Sequence, residues 1–214
     1  MPGSAGPRLP TLWIVAGPNG SGKSTIYSTL SAEEPSGSIW IINPDELSKR
    51  IAGQEGLILN PDANLEAVRR IEAWLRASIR AHQTIGVETV LSTPKYRDVV
   101  AEARRYGFSV RVIFVFLDDA DLNVERVAIR VEKGGHSVPE DKIRDRRRRS
   151  FEQFAWFLRE ADRADAYDNS GADPRLVLSK QGDDLWIEDD LIPELAVAVR
   201  TAYPEWAALI DGDD

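Results

Sequence analysis

Residues 17–25 constrain the fold of this chain more than any other stretch. They fit the pattern G-x-x-x-x-G-K-[ST], whose fixed positions are Gly17, Gly22, Lys23 and Ser24. Glycine reaches positive φ without a steric penalty, so the backbone of such a loop can turn its N–H groups inward as a nest for anionic oxygens. The lysine adds a positive charge for the β- and γ-phosphates of a nucleotide. The pattern therefore predicts a loop that holds the phosphates of a nucleoside triphosphate.

The residues on both sides of this loop have the composition that the pattern requires. Residues 12–16 form a short apolar run that predicts a buried strand, and residues 24–30 predict a helix. The helix N-terminus adds a partial positive charge that favours phosphate groups. We expect Lys23 to act from an exposed loop and the Ser24 hydroxyl to ligate Mg²⁺. The predicted nucleotide-binding residues are Gly17, Pro18, Asn19, Gly20, Ser21, Gly22, Lys23, Ser24 and Thr25.

Predicted strands and helices alternate along the first half of the chain. Apolar runs predict strands at residues 38–42, 85–90 and 110–117, and amphipathic patterns predict helices at residues 64–81 and 96–106. Strands that alternate with helices form a parallel sheet with helices on its faces, and ligands bind at the carboxyl ends of its strands. The predicted fold class is therefore an α/β domain built on a parallel sheet.

Two adjacent helical patterns open the second half of the chain, at residues 119–133 and 139–162, with Gly134-Gly135 between them. A helical hairpin of this kind can close over a ligand as a mobile lid. Short strands and a last helix are predicted after it at residues 164–167, 175–178, 185–187 and 192–202. We expect one domain over residues 1–214, divided into a core at 11–118, a helical lid region at 119–162 and C-terminal strands and a helix at 163–214.

Acidic residues follow two of the predicted strands and could take part in chemistry. Asp45 comes directly after the second strand, and Glu88-Thr89 end the third. A carboxylate beside the γ-phosphate can accept a proton from an attacking hydroxyl, although an aspartate at this place would also cap a helix. Glu88 could bind a substrate hydroxyl, contact Mg²⁺ through water, or face solvent. We expect the phosphate loop, Asp45 and Glu88-Thr89 to meet in one cleft.

A third acidic site, Asp118-Asp119, follows the fourth predicted strand. An apolar run that ends in aspartate occurs in the metal-binding motif of ATP hydrolases, but the next residue here is Asp rather than the usual Glu. Aspartate is also among the preferred residues at a helix N-cap. We interpret the pair as the cap of the next helix.

Arginines are concentrated in the two helices of the predicted lid. Arg126 and Arg130 are four residues apart and share one helix face. Negative charge builds up on the phosphate oxygens during phosphoryl transfer, and arginines from a lid can neutralise it. Most arginines of the second helix, including Arg147 and Arg148, are expected to be solvated. The arginines of that helix are Arg144, Arg146, Arg147, Arg148 and Arg149.

The composition excludes several classes of function. The formal net charge of -8 argues against broad nucleic-acid binding, which needs a basic face. The chain has no cysteine, which excludes disulfides and thiolate sites and suits a reducing cytoplasm. No apolar stretch is long enough to cross a bilayer, and residues 1–10 do not have the apolar core of a signal peptide. We therefore expect a cytoplasmic protein that binds neither a membrane nor nucleic acid.

Several short elements, spread in a fixed order from about Leu12 to Ser170, resemble the zeta-toxin-like P-loop kinases. The phosphate loop alone is generic, but its combination with the other elements is far more specific. Two features depart from the larger toxins: their extended substrate-binding insertions are missing, and Arg147 replaces the aromatic residue usual at this position. The motifs are closer to a short branch often labelled as predicted ATPases. The elements are Gly17–Thr25, Asn43-Pro44-Asp45-Glu46, Glu88-Thr89, Arg126-Val127 with Arg130-Val131, Gly134-Gly135-His136 with Val138-Pro139-Glu140, Arg146 to Ser150, and Asp168-Asn169-Ser170.

The resemblance implies a P-loop kinase fold with about five parallel strands, ATP and Mg²⁺ as cofactors, and transfer of the γ-phosphate to a hydroxyl of a small molecule. The best-known members act on UDP-N-acetylglucosamine and are toxins, so this acceptor and a protein antitoxin are implied as partners. The site residues implied by position are Lys23 and Ser24 for phosphate and Mg²⁺, Asp45 as the base that contacts the acceptor, Glu88 and Thr89 for the acceptor, and Arg130 and Arg146 as lid arginines.

Two other functions are compatible with the same residues. The first is a kinase for another hydroxyl, such as that of a nucleoside, an antibiotic or an RNA 5′ end. The second is a switch that hydrolyses ATP slowly and signals through a partner. The missing Asp-Glu pair of the hydrolases and the position of Asp45 favour a kinase over a switch.

Overall fold

The computed structural model describes residues 9–27, 40–43, 47, 61–135 and 137–206. None of the helices within these ranges is long and apolar enough to span a bilayer. The strands are β1 (Thr11–Ala16), β2 (Ile41–Ile42), β3 (Ile85–Thr89), β4 (Ser109–Phe116), β5 (Arg163–Asp168), β6 (Arg175–Gln181) and β7 (Asp184–Ile187). The helices are α1 (residues 23–27), α2 (Pro61–Arg80), α3 (Arg97–Arg105), α4 (Ala120–Glu132), α5 (Glu140–Glu160) and α6 (Pro193–Ala202).

The described strands form one seven-stranded sheet in the order β2-β3-β1-β4-β5-β6-β7. The first five strands pair in parallel, and β6 and β7 continue the sheet as antiparallel strands at one edge. The predicted α/β fold with a parallel core is therefore confirmed. Because β1 lies between β3 and β4, the chain leaves β1 where the strand order reverses, which is the crevice in which such sheets bind ligands.

The strand β4 is buried on both faces of the sheet. Phe114 and Phe116 belong to the larger core cluster, where the Phe114 ring stacks on Phe154 of α5 with centroids 4.1 Å apart. Ile113 and Val115 belong to a second cluster on the opposite face. Successive residues of a strand point to opposite faces, so a strand covered on both faces requires a continuous apolar run.

Local signals set the helix ends. The Asp119 carboxylate accepts a hydrogen bond from the backbone N–H of Asp121 at 2.8 Å, so the acidic pair after β4 caps α4 as predicted. Gly107 has φ +75 just after α3, the left-handed conformation that often ends a helix. The helix α2 begins at Pro61 rather than at the predicted residue 64, because proline is favoured in the first turn of a helix.

Candidate active site

The phosphate loop, residues 17–25, leaves β1 through a turn that requires glycine. Gly17 has φ +144, and a Cβ there would lie 1.9 Å from the carbonyl oxygen of Val115 in β4. Gly22 has φ +87, and a Cβ there would lie 2.3 Å from the amide nitrogen of Asn169. A side chain at position 17 would push the loop away from β4, and a side chain at position 22 would collide with Asn169. The loop therefore packs closely against β4 and the turn that follows β5.

The Lys23 side chain is folded inside the phosphate loop. Its ammonium group donates to the carbonyl oxygens of Gly17 and Pro18, both at 2.9 Å, and only 8% of the residue is exposed. A buried ammonium group needs such acceptors because its desolvation is costly. The prediction that Lys23 acts from an exposed loop is wrong, since the loop closes around this charge.

A cleft of about 270 Å³ lies beside the loop, and half of the predicted site residues line it. The loop and the end of β3 meet there, as the strand order requires. The catalytic and binding roles of these residues stay predictions. The cleft is lined by Asn19, Gly20 and Lys23 from the loop, Glu88 and Thr89 from β3, Arg130 from α4 and Arg146 from α5.

Glu88 is tied to the phosphate loop by its carboxylate. The Ser24 hydroxyl donates to Glu88 Oε2 at 2.7 Å, and the Asn43 amide donates to the same oxygen at 3.2 Å. Glu88 is therefore not a strand-end carboxylate left in solvent, one of the three roles considered for it. A hydroxyl oxygen beside a carboxylate oxygen is the type of ligand that Mg²⁺ takes together with water and phosphate oxygens. The residues present thus fit a Mg²⁺ site.

Thr89 shapes the adjacent wall of the cleft. Its hydroxyl oxygen accepts a hydrogen bond from the backbone N–H of Leu91 at 3.0 Å. Leu91 is buried and has φ +57, a conformation that is uncommon for a residue with a large side chain. Backbone strain of this kind is often found at ligand sites. The turn brings Ser92, Thr93 and Lys95 to the cleft.

The predicted base, Asp45, lies outside the described residues. The nearest described residue of its motif is Asn43, which follows β2 and contacts Glu88. Asn43 also lines the cleft, so the described end of the Asn-Pro-Asp-Glu motif reaches the predicted site. The role of Asp45 stays a prediction from the sequence.

The structure corrects the prediction that Arg147 is solvated. Its exposed fraction is 3%, and its guanidinium donates to the carbonyl oxygen of Leu117 at 2.7 Å and to Asn123 Oδ1 at 2.8 Å. The side chain of Arg148, by contrast, is 62% exposed and pairs with acidic residues of its own helix, as predicted. Successive helix residues are rotated by about 100°, so a run of arginines cannot share one environment. Arg146 faces the cleft, Arg147 the interior and Arg148 the solvent.

Two asparagines hold the phosphate loop from outside, and sequence reasoning gave neither of them a role. The Asn123 amide donates to the carbonyl oxygen of Asn19 at 2.7 Å, and the Asn169 amide donates to that of Ser21 at 2.8 Å. Asparagine is a poor helix former, so its place inside α4 is a signal that could have identified Asn123. Asn169 belongs to the Asp-Asn-Ser element at residues 168–170, whose physical role the sequence did not reveal.

The turn that carries Asn169 is held by the Asp168 carboxylate. It accepts hydrogen bonds from the backbone N–H of Ser170 at 2.9 Å and from the Arg175 guanidinium at 3.0 Å. Burial alone would raise the pKa of Asp168, but the hydrogen bonds from Ser170 and Arg175 hold that pKa below its ordinary value of 3.8. The charged carboxylate therefore stabilises the turn that contacts the loop.

The pH dependence of stability tests this role of Asp168. Because its folded-state pKa is lowered, its ionised form stabilises the fold above pH 3.8, and this contribution is lost as the pH falls from 3.8 toward the folded-state pKa. We expect Asp168→Asn to lower the free energy of unfolding at neutral pH, and the difference from wild type to shrink in acid. Urea denaturation over a pH series measures this. Asp173→Asn, at an exposed position of the same loop, is the matched control. If the free energy of unfolding of Asp168→Asn were lower than that of wild type by the same amount at neutral and acid pH, this role of Asp168 would be contradicted.

Comparison with known proteins gives one family match and a set of similar folds. The AAA_33 family, described as an AAA domain, matches residues 12–154. A Haemophilus influenzae protein described as uncharacterized is 27% identical over 142 residues, which are 63% of this chain and 96% of that protein.

Two solved structures show the same fold at low sequence identity. The AvrRxo1-ORF1:-ORF2 structure with ATP has a TM-score of 0.66 and 16% identity over 84% of this chain, which spans 60% of the length of that chain. A structure of the PezAT chromosomal toxin-antitoxin system of Streptococcus pneumoniae has a TM-score of 0.65 and 17% identity, over 96% of this chain and 82% of the other. The predicted P-loop kinase-like fold is confirmed.

Proposed function

The chain belongs to the AAA_33 family of AAA domains, and from this premise we propose that it transfers the γ-phosphate of ATP to a hydroxyl group of a small molecule. The observation that carries the proposal is the single cleft shared by the phosphate loop, Glu88, Arg130 and Arg146. Phosphoryl transfer needs a cradle for phosphates, a place for the acceptor and positive charge around the transferred group. The residues of this cleft supply all three.

Each group of the proposed site has a task that follows from its chemistry. The backbone N–H groups of the loop and the Lys23 ammonium hold the β- and γ-phosphates. Asp45 accepts the proton of the acceptor hydroxyl as the hydroxyl oxygen attacks the γ-phosphorus, and the bond from that phosphorus to the β-phosphate oxygen breaks to release ADP. Arg130 and Arg146, carried by a lid at residues 119–162, stabilise the negative charge on the phosphate oxygens. When bound at Ser24, Mg²⁺ neutralises phosphate charge and orients the nucleotide.

The proposed acceptor carries hydroxyl groups and negative charge. The segment after β3 brings Ser92, Thr93 and Lys95 to the cleft. The Lys95 ammonium lies 4.6 Å above the centre of the Tyr96 ring, and burial lowers its pKa. These donors suit a nucleotide sugar, and the family resemblance favours UDP-N-acetylglucosamine. A protein antitoxin is proposed on the same basis, because the PezAT structure comes from a toxin-antitoxin system.

The acidic pair after β4 argues against the alternative of an ATP-hydrolysing switch. Asp119 caps α4, and Asp118 and Asp119 are both exposed. The pair therefore does not support the metal-binding motif of the hydrolases, in which the acidic residues act at the nucleotide.

Labelled ATP distinguishes these functions directly. The full chain is incubated with γ-labelled ATP, Mg²⁺, a metabolite extract and total RNA, and the labelled products are separated. We expect the label in a small, phosphatase-sensitive molecule, with nucleotide sugars tested first. Label only in inorganic phosphate would contradict the proposal, and label in RNA would favour a kinase for RNA ends.

Asp45→Asn tests the proposed base. Asparagine caps a helix about as well as aspartate, so the substitution keeps a cap and removes a base. We expect ATP affinity, measured by calorimetry, to stay at the wild-type value, because the phosphates are held by residues 17–24. Transfer to the acceptor should fall by roughly 10²–10⁴-fold, the usual contribution of general-base catalysis. Unchanged transfer at unchanged affinity would leave Asp45 a structural residue.

A further inference from the structure

We propose that Asn123 and Arg147 are positioning residues that hold the phosphate loop in its binding conformation. The role rests on the proposed function in one respect, because it presupposes that the loop binds the phosphates of ATP. Neither residue lines the cleft within the described part of the chain, so neither would touch the nucleotide.

The Asn123 side chain connects Arg147 to the phosphate loop. It is fully buried, its amide nitrogen donates to the carbonyl oxygen of Asn19 at 2.7 Å, and its amide oxygen accepts from the Arg147 guanidinium at 2.8 Å. A guanidinium can only donate and a carbonyl can only accept, so the two partners fix the orientation of the amide. Arg147 therefore determines which end of Asn123 faces the loop.

Arg147 is itself held by two other parts of the fold and by a residue of its own helix. It donates to the carbonyl oxygen of Leu117, the residue just after β4, and to the Glu194 carboxylate of α6 at 3.0 Å. Its guanidinium carbon lies 5.2 Å from the centre of the Phe151 ring. A buried arginine with this many partners has a fixed position. The sheet, α5 and α6 thus all contribute to the placement of one loop carbonyl.

The direction of the Asn19 carbonyl determines the direction of the next N–H in the loop, that of Gly20. In a planar trans peptide the C=O and the following N–H point in opposite directions. Asn123 holds the Asn19 carbonyl toward α4, so the N–H of Gly20 points away from α4. A Cβ on Gly20 would lie 2.8 Å from the Asn123 carbonyl oxygen, so the loop also packs on the backbone of α4. Gly20 lines the cleft, so in the proposed role its N–H serves as a donor to phosphate.

Asn123→Asp tests this role, because aspartate has the same shape and still accepts from Arg147, but it faces the Asn19 carbonyl with an acceptor oxygen in place of the amide donor. We expect ATP·Mg²⁺ affinity to fall by about 10-fold, the effect of losing one buried hydrogen bond to the loop. Arg147→Met should weaken ATP binding as well, because Asn123 then loses the partner that orients it. Arg147→Lys keeps a donor at this position and should restore part of the affinity. Arg148→Met, at the exposed neighbouring position, is the control and should bind like wild type.

Calorimetry with ATP·Mg²⁺, at a temperature well below the unfolding midpoint of every variant, measures the affinity of the folded chain. Weaker binding by Asn123→Asp supports the positioning role, whether or not its unfolding midpoint also falls. Wild-type affinity in Asn123→Asp overturns it, even if the midpoint is lowered, because the residue would then serve stability only. Failure of the wild-type chain to bind ATP would overturn the proposed function and this role together, so the two failures can be told apart.

Discussion

Lys23→Ala is expected to abolish phosphoryl transfer in a chain that still folds. Lys23 is the cation that the loop presents to the β- and γ-phosphates, and alanine leaves no charge in its place. The substitution also removes two hydrogen bonds to the carbonyl oxygens of Gly17 and Pro18. Because these hydrogen bonds are lost, we expect a modest loss of stability, on the order of 1–3 kcal/mol.

Two measurements separate these effects in Lys23→Ala. Product formation from labelled ATP should be below detection, while circular dichroism and thermal unfolding report a folded chain. Lys133→Ala, at an exposed position after α4, is the matched control and should retain wild-type transfer. Normal turnover by folded Lys23→Ala would contradict the assignment of residues 17–25 as the phosphate site.

Arg130→Ala and Arg146→Ala should each lower kcat by roughly 10³-fold or more, the scale found for arginines that stabilise the transition state of phosphoryl transfer. The two residues belong to different helices but line the same cleft. Their charge matters most when negative charge grows on the transferred phosphate, so kcat should fall far more than ATP affinity. Steady-state kinetics with the identified acceptor and calorimetry with ATP·Mg²⁺ measure the two effects.

Arg148→Ala is the control for the lid arginines, because Arg148 lies on the same helix as Arg146 and is solvated. Arg147→Ala cannot serve as this control, since Arg147 is buried. Equal losses in kcat at Arg130, Arg146 and Arg148 would indicate a diffuse electrostatic effect, and the assignment of two lid arginines would then be withdrawn.

The features of the fold that depend on local sequence could be predicted. The glycine spacing of residues 17–25 predicts the loop, and the apolar run of β4 predicts a strand that is buried on both faces. The Asp119 cap follows from the same local preferences. The carboxyl-end rule for parallel sheets predicts that Glu88 lies near the phosphate loop, and the Ser24 hydroxyl donates to its carboxylate.

The features that could not be predicted depend on contacts between distant elements. The burial of Arg147 depends on how α5 is rotated against α4 and β4, and four neighbouring arginines of similar sequence context give no hint of that rotation. The pairing of Ser24 with Glu88 joins residues 64 positions apart. The strands β6 and β7 match the short strands predicted at residues 175–178 and 185–187, but their addition to the edge of the parallel sheet depends on the turn after β5, which the contacts of Asp168 hold.

Because two asparagines from later in the chain hold the phosphate loop, the nucleotide site is completed late in protein synthesis. Asn123 follows its loop partner by 104 positions and Asn169 by 148, so the loop leaves the ribosome long before either brace exists. The strand β1 likewise cannot form its sheet hydrogen bonds until β3 and β4, its neighbours in the folded sheet, have been synthesised. A nascent chain that ends before β4 therefore displays the complete nucleotide motif but lacks the structure that shapes it. We expect the affinity of a nascent chain for ATP to reach its final value only after residue 169 has emerged.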